Sequence, residues 1–220
     1  MMQLSGDTRD VLKNFSTINQ NLMVKSGNTI NTMSAMKNIV AKATIPDTFS
    51  NEFAIYDLNE FLSALSLFKS PSLDFADKSV KLNEEGGGSS LNYFFSDPSV
   101  VTTPKTEITM PSVDVEFTFT QNAFIDIQKA SAVLGVPDVV LKGTAGGDIN
   151  LTVTDRKNET SNDFSIKVGD NSPNDFTYFF KVENLKLLGG DYKVKVSDKG
   201  ISHFAHVNKQ IEYFIALEAK

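Results

Sequence analysis

A chain of 220 residues with no cysteine can bury a sizeable core without staples, and it has no disulfide framework and no thiolate metal site. Its 21 basic and 27 acidic residues give a net charge of −6, with the acids spread over both halves. That balance argues against a protein that grips nucleic acid with its whole surface, because such affinity comes from neutralising phosphates with Lys and Arg. The first residues, MMQLSGDTRDVLKNF, hold neither a basic leader nor a continuous apolar run. No later run approaches the roughly 18 apolar residues that span a membrane. A soluble, unexported protein of a reducing cytoplasm is therefore expected. With 17 Phe, no Trp and many Val, Ile and Thr, the composition leans toward sheet.

Ser5 reads as the cap of a helix over residues 6–20. Val11, Leu12, Phe15 and Ile18 fall within one arc at about 100° per residue, and Arg9, Lys13, Ser16 and Gln20 gather opposite. Taken alone, Arg9 and Lys13 are two solvated charges at i and i+4; a second helix built the same way would turn them into part of a face. The alternating runs NLMVKS, NTINTMS and KNIVAKATI, parted by Gly27-Asn28 and polar turns, predict an antiparallel meander. After NEFAIY comes DLNEFLSALSLFKSP. There Asp57 and Glu60 form a capping-box pattern, Leu58, Phe61, Leu62 and Leu65 line one face, and Ser70-Pro71 stops the helix. SLDFA, SVKLN and SLNYFF read as three more strands, with Gly86-Gly87-Gly88 a flexible turn.

Residues 96–112, SDPSVVTTPKTEITMPS, break the pattern. Pro98, Pro104 and Pro111 each fix φ and lack a donor, and the Ser and Thr residues compete for backbone hydrogen bonds, so the stretch reads as an extended strap. Beyond it the order of elements repeats. VDVEFTF is a strand, and QNAFIDIQKASAVLG a helix ended by Gly135 and Pro137, with Phe124, Ile127, Ser131 and Leu134 inward and Lys129 outward. PDVVLKG and GGDINLTVTD pair as a hairpin, which NDFSIKVG and DFTYFFKV extend. FTYFFKVENLKLLGG matches EFAIYDLNEFLSALS in pattern: an apolar strand, an acid, then a short Leu-faced helix. GDYKVKVS, GISHFAHV and IEYFIALEA close the chain as three strands. The expected fold is α+β, with two similar sheet-rich domains, 1–95 and 113–220, joined by the strap, each with two helices packed on one face of its sheet. If the halves lie side by side by pseudo-symmetry, Arg9, Lys13 and Lys129 point the same way.

Material for catalysis is thin. His203 and His206 lie three apart on a strand, so they face opposite sides and make a poor metal pair. The glycine-rich stretch 143–147 lacks a GK[ST] ending and leads into a strand, which makes it a hairpin turn and not a phosphate loop. Asp155, Glu159 and Asp163 crowd a loop beside Arg156 and Lys157 and read as solvated surface. Asn158-Glu159-Thr160 is a glycosylation sequon that matters only with export.

LSGDTRDVLKNFSTIN, EFAIYDLNEFLSALSL, FFSDPSVV, LLGGDYKVKVSDKG and YFIALEA together make the chain resemble the sliding clamps of T-even-type bacteriophages, the processivity factors of phage DNA polymerases. The pieces stand in the family's order over nearly the full length. The resemblance implies the DNA clamp fold without enzymatic activity or cofactor: a homotrimer closed into a pseudo-sixfold ring around duplex DNA, sheets outside and helices lining the hole. By family position, the strand with Leu91, Tyr93 and Phe95 meets the strand with Phe164, Ile166 and Val168 of the next subunit. Arg9, Lys13 and Lys129 face the DNA, and partner tails dock near Val100, Val101, Ile215, Ala216 and Leu217. Implied partners are the phage DNA polymerase and an ATP-dependent clamp loader, in the cytoplasm of the infected bacterial host. Two other readings stand beside it, a structural virion protein built from a duplicated β-rich domain and an enzyme with a carboxylate site.

Overall fold

The computed structural model describes residues 2–219, and the chain divides into two units between Glu107 and Ile108. In the first unit, Ser5 caps helix α1 (Gly6–Ile18), accepting the Thr8 N–H at 3.2 Å. Val11, Leu12, Phe15 and Ile18 are buried as their spacing requires. The helix stops two residues earlier than its pattern suggests. Asn19 is extended, its side-chain amide donating to Met33 O at 2.7 Å while its Oδ1 accepts the Asn21 N–H at 3.1 Å. A side chain committed to a neighbouring strand and to its own loop competes with another helical turn.

Strands β1 (Leu22–Val24), β2 (Gly27–Met33), β3 (Ile39–Phe49) and β4 (Phe53–Ile55) follow. β2 and β3 pair antiparallel, as do β1 and β4. α1 packs on β3, whose buried positions include Ala41 and Ala43, small enough to let a helix lie close. Helix α2 (Leu58–Ser66) is capped by Asp57, which accepts the N–H groups of Asn59 and Glu60. β5 (Pro71–Phe75), β6 (Ser79–Glu84) and β7 (Ser90–Phe94) form a meander in which Leu73 lies opposite Leu82 and Val80 opposite Tyr93. The phenylalanine surplus is spent here: Phe53 stacks on Phe95 at 4.8 Å, with Phe49 and Phe75 against it. The strap makes a single 3-10 turn, Pro98–Val100, and then runs without regular structure to residue 114.

The second unit holds β8 (Val115–Phe119), helix α3 (Gln121–Leu134), β9 (Asp138–Gly143), β10 (Ile149–Thr154), β11 (Phe164–Gly169) and β12 (Phe176–Lys181). It ends with β13 (Tyr192–Ser197), β14 (Ile201–His206) and β15 (Ile211–Ala216). One sheet runs β11-β10-β9-β12, and β8, β13, β14 and β15 pair in series. α3 packs on β10 and β11 through Phe124 and Ile127, and Gly135, at φ 67°, ends it. Burying an Ile or Phe of this kind stabilises by about 1.5–3 kcal/mol.

A fourth helix does not form. Where the sequence predicts a second helix for this unit there is only a 3-10 turn, Val182–Asn184, so the described residues contain three α-helices. Leu58, Phe61 and Leu65 recur at helical spacing, but Leu185 and Leu187 are buried two apart, the period of extended chain. The Gly189-Gly190 pair then leaves too few residues for two turns.

Each unit closes alike. Ser96, two residues past β7, donates its N–H to Ala54 O of β4 at 2.9 Å, and Glu218, two past β15, donates to Phe179 O of β12 at 2.8 Å. The duplication read in the sequence is thus visible as matching backbone bonds. Gly190 shows how tightly the second unit is finished. Its φ is 143°, and a Cβ there would lie 2.1 Å from Nε2 of His206, whose ring packs on Tyr192 and accepts two backbone N–H groups. Gly190→Ala should therefore destabilise the fold by at least about 2 kcal/mol, read as a lower urea midpoint with an unchanged slope.

Candidate functional site

Three regions carry the residues singled out in the sequence. On α1, Asp10, Lys13 and Thr17 make the exposed stripe and Arg9 lies half-buried along its flank. The Arg9 Nε is buried without a hydrogen-bond partner, and the guanidinium lies near Asp47 of β3. On α3, Lys129 is exposed and so is Asp126. The bases are therefore accompanied by acids: Asp7 and Asp10 offset Arg9 and Lys13, Asp126 offsets Lys129, and α2 carries Glu60 with no base. The helices bear no net positive charge. Counting bases alone missed this, although the acids stood in the same heptads.

Asp47 anchors the start of α1, accepting the N–H of Ser5 at 2.9 Å and its hydroxyl at 2.8 Å. Burial opposes its ionisation, but hydrogen bonds from Thr8 and Ser5 and the nearby Arg9 outweigh that and lower its pKa below the ordinary 3.8.

The second region comprises two sheet edges. β7 ends one sheet and β11 ends another. On β7, Tyr93 is buried, its ring against Phe61 and its hydroxyl donating to Asp57 O at 3.2 Å. Leu91 is half-buried on the same face, and Phe95, just past the strand, belongs to the Phe53 stack. The large apolar side chain that β7 exposes is Phe94, 72% accessible. In SLNYFF, alternation alone leaves two possible faces; once Tyr93 turns inward, Phe94 must turn outward. On β11, Phe164 is 38% exposed, with Ile166 and Val168 half-buried between exposed Ser165 and Lys167. Lys167 is bonded to Asp148 at 2.8 Å and to Asp170, and these carboxylates push its pKa to about 12.

The third is a cavity of about 510 Å³ in the second unit, with Phe176, Tyr178, Phe179 and Leu217 as its apolar lining and Asp175, Asp198 and Glu218 beside them. Burial, with the charges of Asp114 and Asp198, raises the Tyr178 pKa. Ile215 does not reach it. That side chain is fully buried inside β15, so it has no surface to offer a partner. Leu217 departs from the strand's alternation because β15 has ended: its N–H bonds to Gly200 O at 2.9 Å and its side chain turns into the cavity. Ala216 is half-buried; in the first unit, Val100 is 53% exposed and Val101 half-buried.

Both histidines are engaged in packing. His203 Nε2 lies 2.8 Å from Glu212 Oε2 and its ring stacks on Phe214, while His206 caps the turn after β14. Among the described residues no cluster of His, Asp and Glu has the arrangement of a metal site, and no helix is long and apolar enough to cross a membrane.

Residues 5–103 match the family described as DNA polymerase processivity factor, and residues 116–219 match the gp45 sliding clamp, C terminal. The sliding clamp of Vibrio phage KVP40 is 37% identical over 223 residues, covering 99% of this chain and all of that protein. This chain belongs to the sliding-clamp family. The clamp of Enterobacteria phage T4 is 29% identical, covering 99% of this chain and 97% of that protein. The fold is shared much more widely than the sequence. The PCNA2-PCNA3 complex of Sulfolobus tokodaii superposes with a TM-score of 0.69 at 11% identity over 96% of both chains. The C. crescentus beta sliding clamp gives 0.70 at 13% identity, over all of this chain and 66% of that one. The clamp is thus a phage-type processivity factor for DNA polymerase, a role that requires no catalysis of its own.

The depressed pKa of Asp47 makes stability depend on acid. A carboxylate whose folded pKa lies below its unfolded value contributes fully above the ordinary 3.8, and the contribution is lost as pH falls through the folded value. Asp47→Asn should therefore lower stability at pH 7 and flatten its decline between about pH 5 and pH 2, as measured by urea midpoints across that range.

Proposed function

We propose that this clamp works as a closed homotrimer encircling duplex DNA, with β7 of one subunit meeting β11 of the next. The observation that carries the reading is the pair of sheet edges that still expose a large apolar side chain, Phe94 on one and Phe164 on the other, with Ile166 and Val168 half-buried beside Phe164. An exposed, partly apolar edge is a hazard unless it is paired, and a head-to-tail contact that closes on itself pairs every edge.

Inside such a ring α1 and α3 face the DNA, and Arg9, Lys13 and Lys129 supply its phosphate contacts. Each neutralised phosphate adds about −0.9 to the slope of log affinity against log salt. With an acid beside each base, attraction is weak and non-specific. Such contact lets the ring slide, and retention comes from topology. An ATP-dependent loader opens and closes the ring, and the polymerase is held by a short tail whose apolar anchor enters the cavity beside Leu217, Phe176 and Tyr178. The place of action is the cytoplasm of the infected host.

Light scattering of the purified protein should give three times 24.2 kDa, and the loaded ring should stay on nicked circular DNA and run off linear DNA. A monomer or an open polymer, with no dependence on DNA topology, would overturn the ring. Phe94→Asp should shift the trimer to monomers in the same measurement. Neutralising Arg9, Lys13 and Lys129 together should cut loading and polymerase stimulation several-fold while the trimer stays intact; full stimulation would remove them from the role.

A further inference from the structure

The segment leaving β15 is held at every residue. Leu217 and Glu218 donate backbone bonds to Gly200 and Phe179, and the Asn184 side-chain amide donates to Glu218 Oε1 at 3.4 Å. Arg156 Nη2 donates to Ala219 O at 3.0 Å, and the same guanidinium lies 3.9 Å above the Phe179 ring. Arg156 therefore touches both sides of one seam, the ring on β12 and the backbone laid across it. Leu217, Glu218 and Ala219 line the 510 Å³ cavity, and so does Phe179.

What aims Arg156 is buried. Asp138, 2% exposed, accepts the Arg156 backbone N–H at 3.1 Å and pairs with Lys181. Asp138 opens β9 and Lys181 ends β12, directly opposite in register. An ion pair between β9 and the end strand β12 thus fixes the loop after β10 where it begins, and the exposed guanidinium is delivered from that anchor. Only a planar cation can stack on the ring and donate along its own plane to the carbonyl; an ammonium supplies the donor without the flat face.

We propose that Arg156 is a positioning residue for partner recognition: it holds residues 217–219 against β12 and so keeps the cavity in the shape that receives the apolar anchor of a partner's tail. This rests on assigning that cavity to partner tails. Without Arg156 the wall is left to the backbone bonds of Leu217 and Glu218 and a long contact from Asn184, and it opens part of the time. Apparent affinity then falls with the fraction of molecules that keep the wall closed. Arg156 touches no bound tail in this account and acts through the segment.

Two measurements on the full chain test it, and exposure of Arg156 on a loop leaves folding unthreatened. By hydrogen exchange, Arg156→Ala should speed exchange of the Glu218 amide about tenfold and leave those of Val194 and Phe204 unchanged; a Glu218 amide that exchanges as in the wild type would overturn the proposal. By fluorescence anisotropy with a labelled peptide of the cognate polymerase's C-terminal tail, Arg156→Ala should weaken binding about tenfold at unchanged trimer mass. Arg156→Lys should fall between the two in both assays. Equal peptide affinity in wild type and Arg156→Ala, with Glu218 exchange accelerated, would refute the recognition role of Arg156 alone. A wild type that fails to bind the peptide would refute the assignment of the cavity, and the recognition role with it.

Discussion

The backbone bonds from Ser96 to Ala54 and from Glu218 to Phe179 close the two units in the same way, each joining the chain just past a last strand to a strand in the middle of the unit's sequence, β4 or β12. Closure of this kind ties the chain to the outer sides of β4 and β12 by one backbone hydrogen bond each. The strands left at sheet ends include β7 and β11, and these keep apolar side chains at the surface. An open sheet always leaves two edge strands with unpaired backbone groups. Which edges are satisfied internally therefore decides which are available to another copy of the chain.

The same economy governs charge. A processivity factor must remain on DNA without stopping on it, and tight phosphate binding would defeat that. Placing Asp7, Asp10 and Asp126 among Arg9, Lys13 and Lys129 keeps the helical surfaces close to neutral. The overall charge of −6 follows the same direction. Compensated helices present little net charge to phosphates, which suits a sliding clamp.

The second unit uses the space that a fourth helix would have filled in a different manner. Leu185 and Leu187 enter the core as extended chain, and Asn184, held in the 3-10 turn, reaches Glu218. The segment after β15 thereby gains a polar contact on one side and the Arg156 guanidinium on the other. A wall three residues long is ordered by groups contributed from two separate loops. Its shape thus depends on the β9–β12 pairing, where Asp138 meets Lys181.

Local signals were legible in the sequence because they depend on neighbours in the chain. Period-two runs marked the strands, the caps at Ser5 and Asp57 marked helix starts, and the prolines of residues 96–112 marked the break between two repeats. The resemblance to the phage clamps rested on segments such as LSGDTRDVLKNFSTIN and LLGGDYKVKVSDKG, standing in the family's order. Which face of a strand turns inward was not legible, since alternation is symmetric until something packs against one side. Tyr93 against Phe61 decided that Phe94 faces out, and the end of β15 decided that Ile215 is core while Leu217 lines a cavity. The absence of a fourth helix and the reach of Arg156 to Phe179 likewise came from residues distant in sequence. By itself, the sequence showed most of the elements, their duplication and the resemblance to the family, but not the 3-10 turn at Val182–Asn184 that stands in place of a fourth helix. Only the tertiary structure decided exposure where the local pattern allowed two answers, as at Phe94, Ile215 and Leu217, because there it depends on what packs against each face.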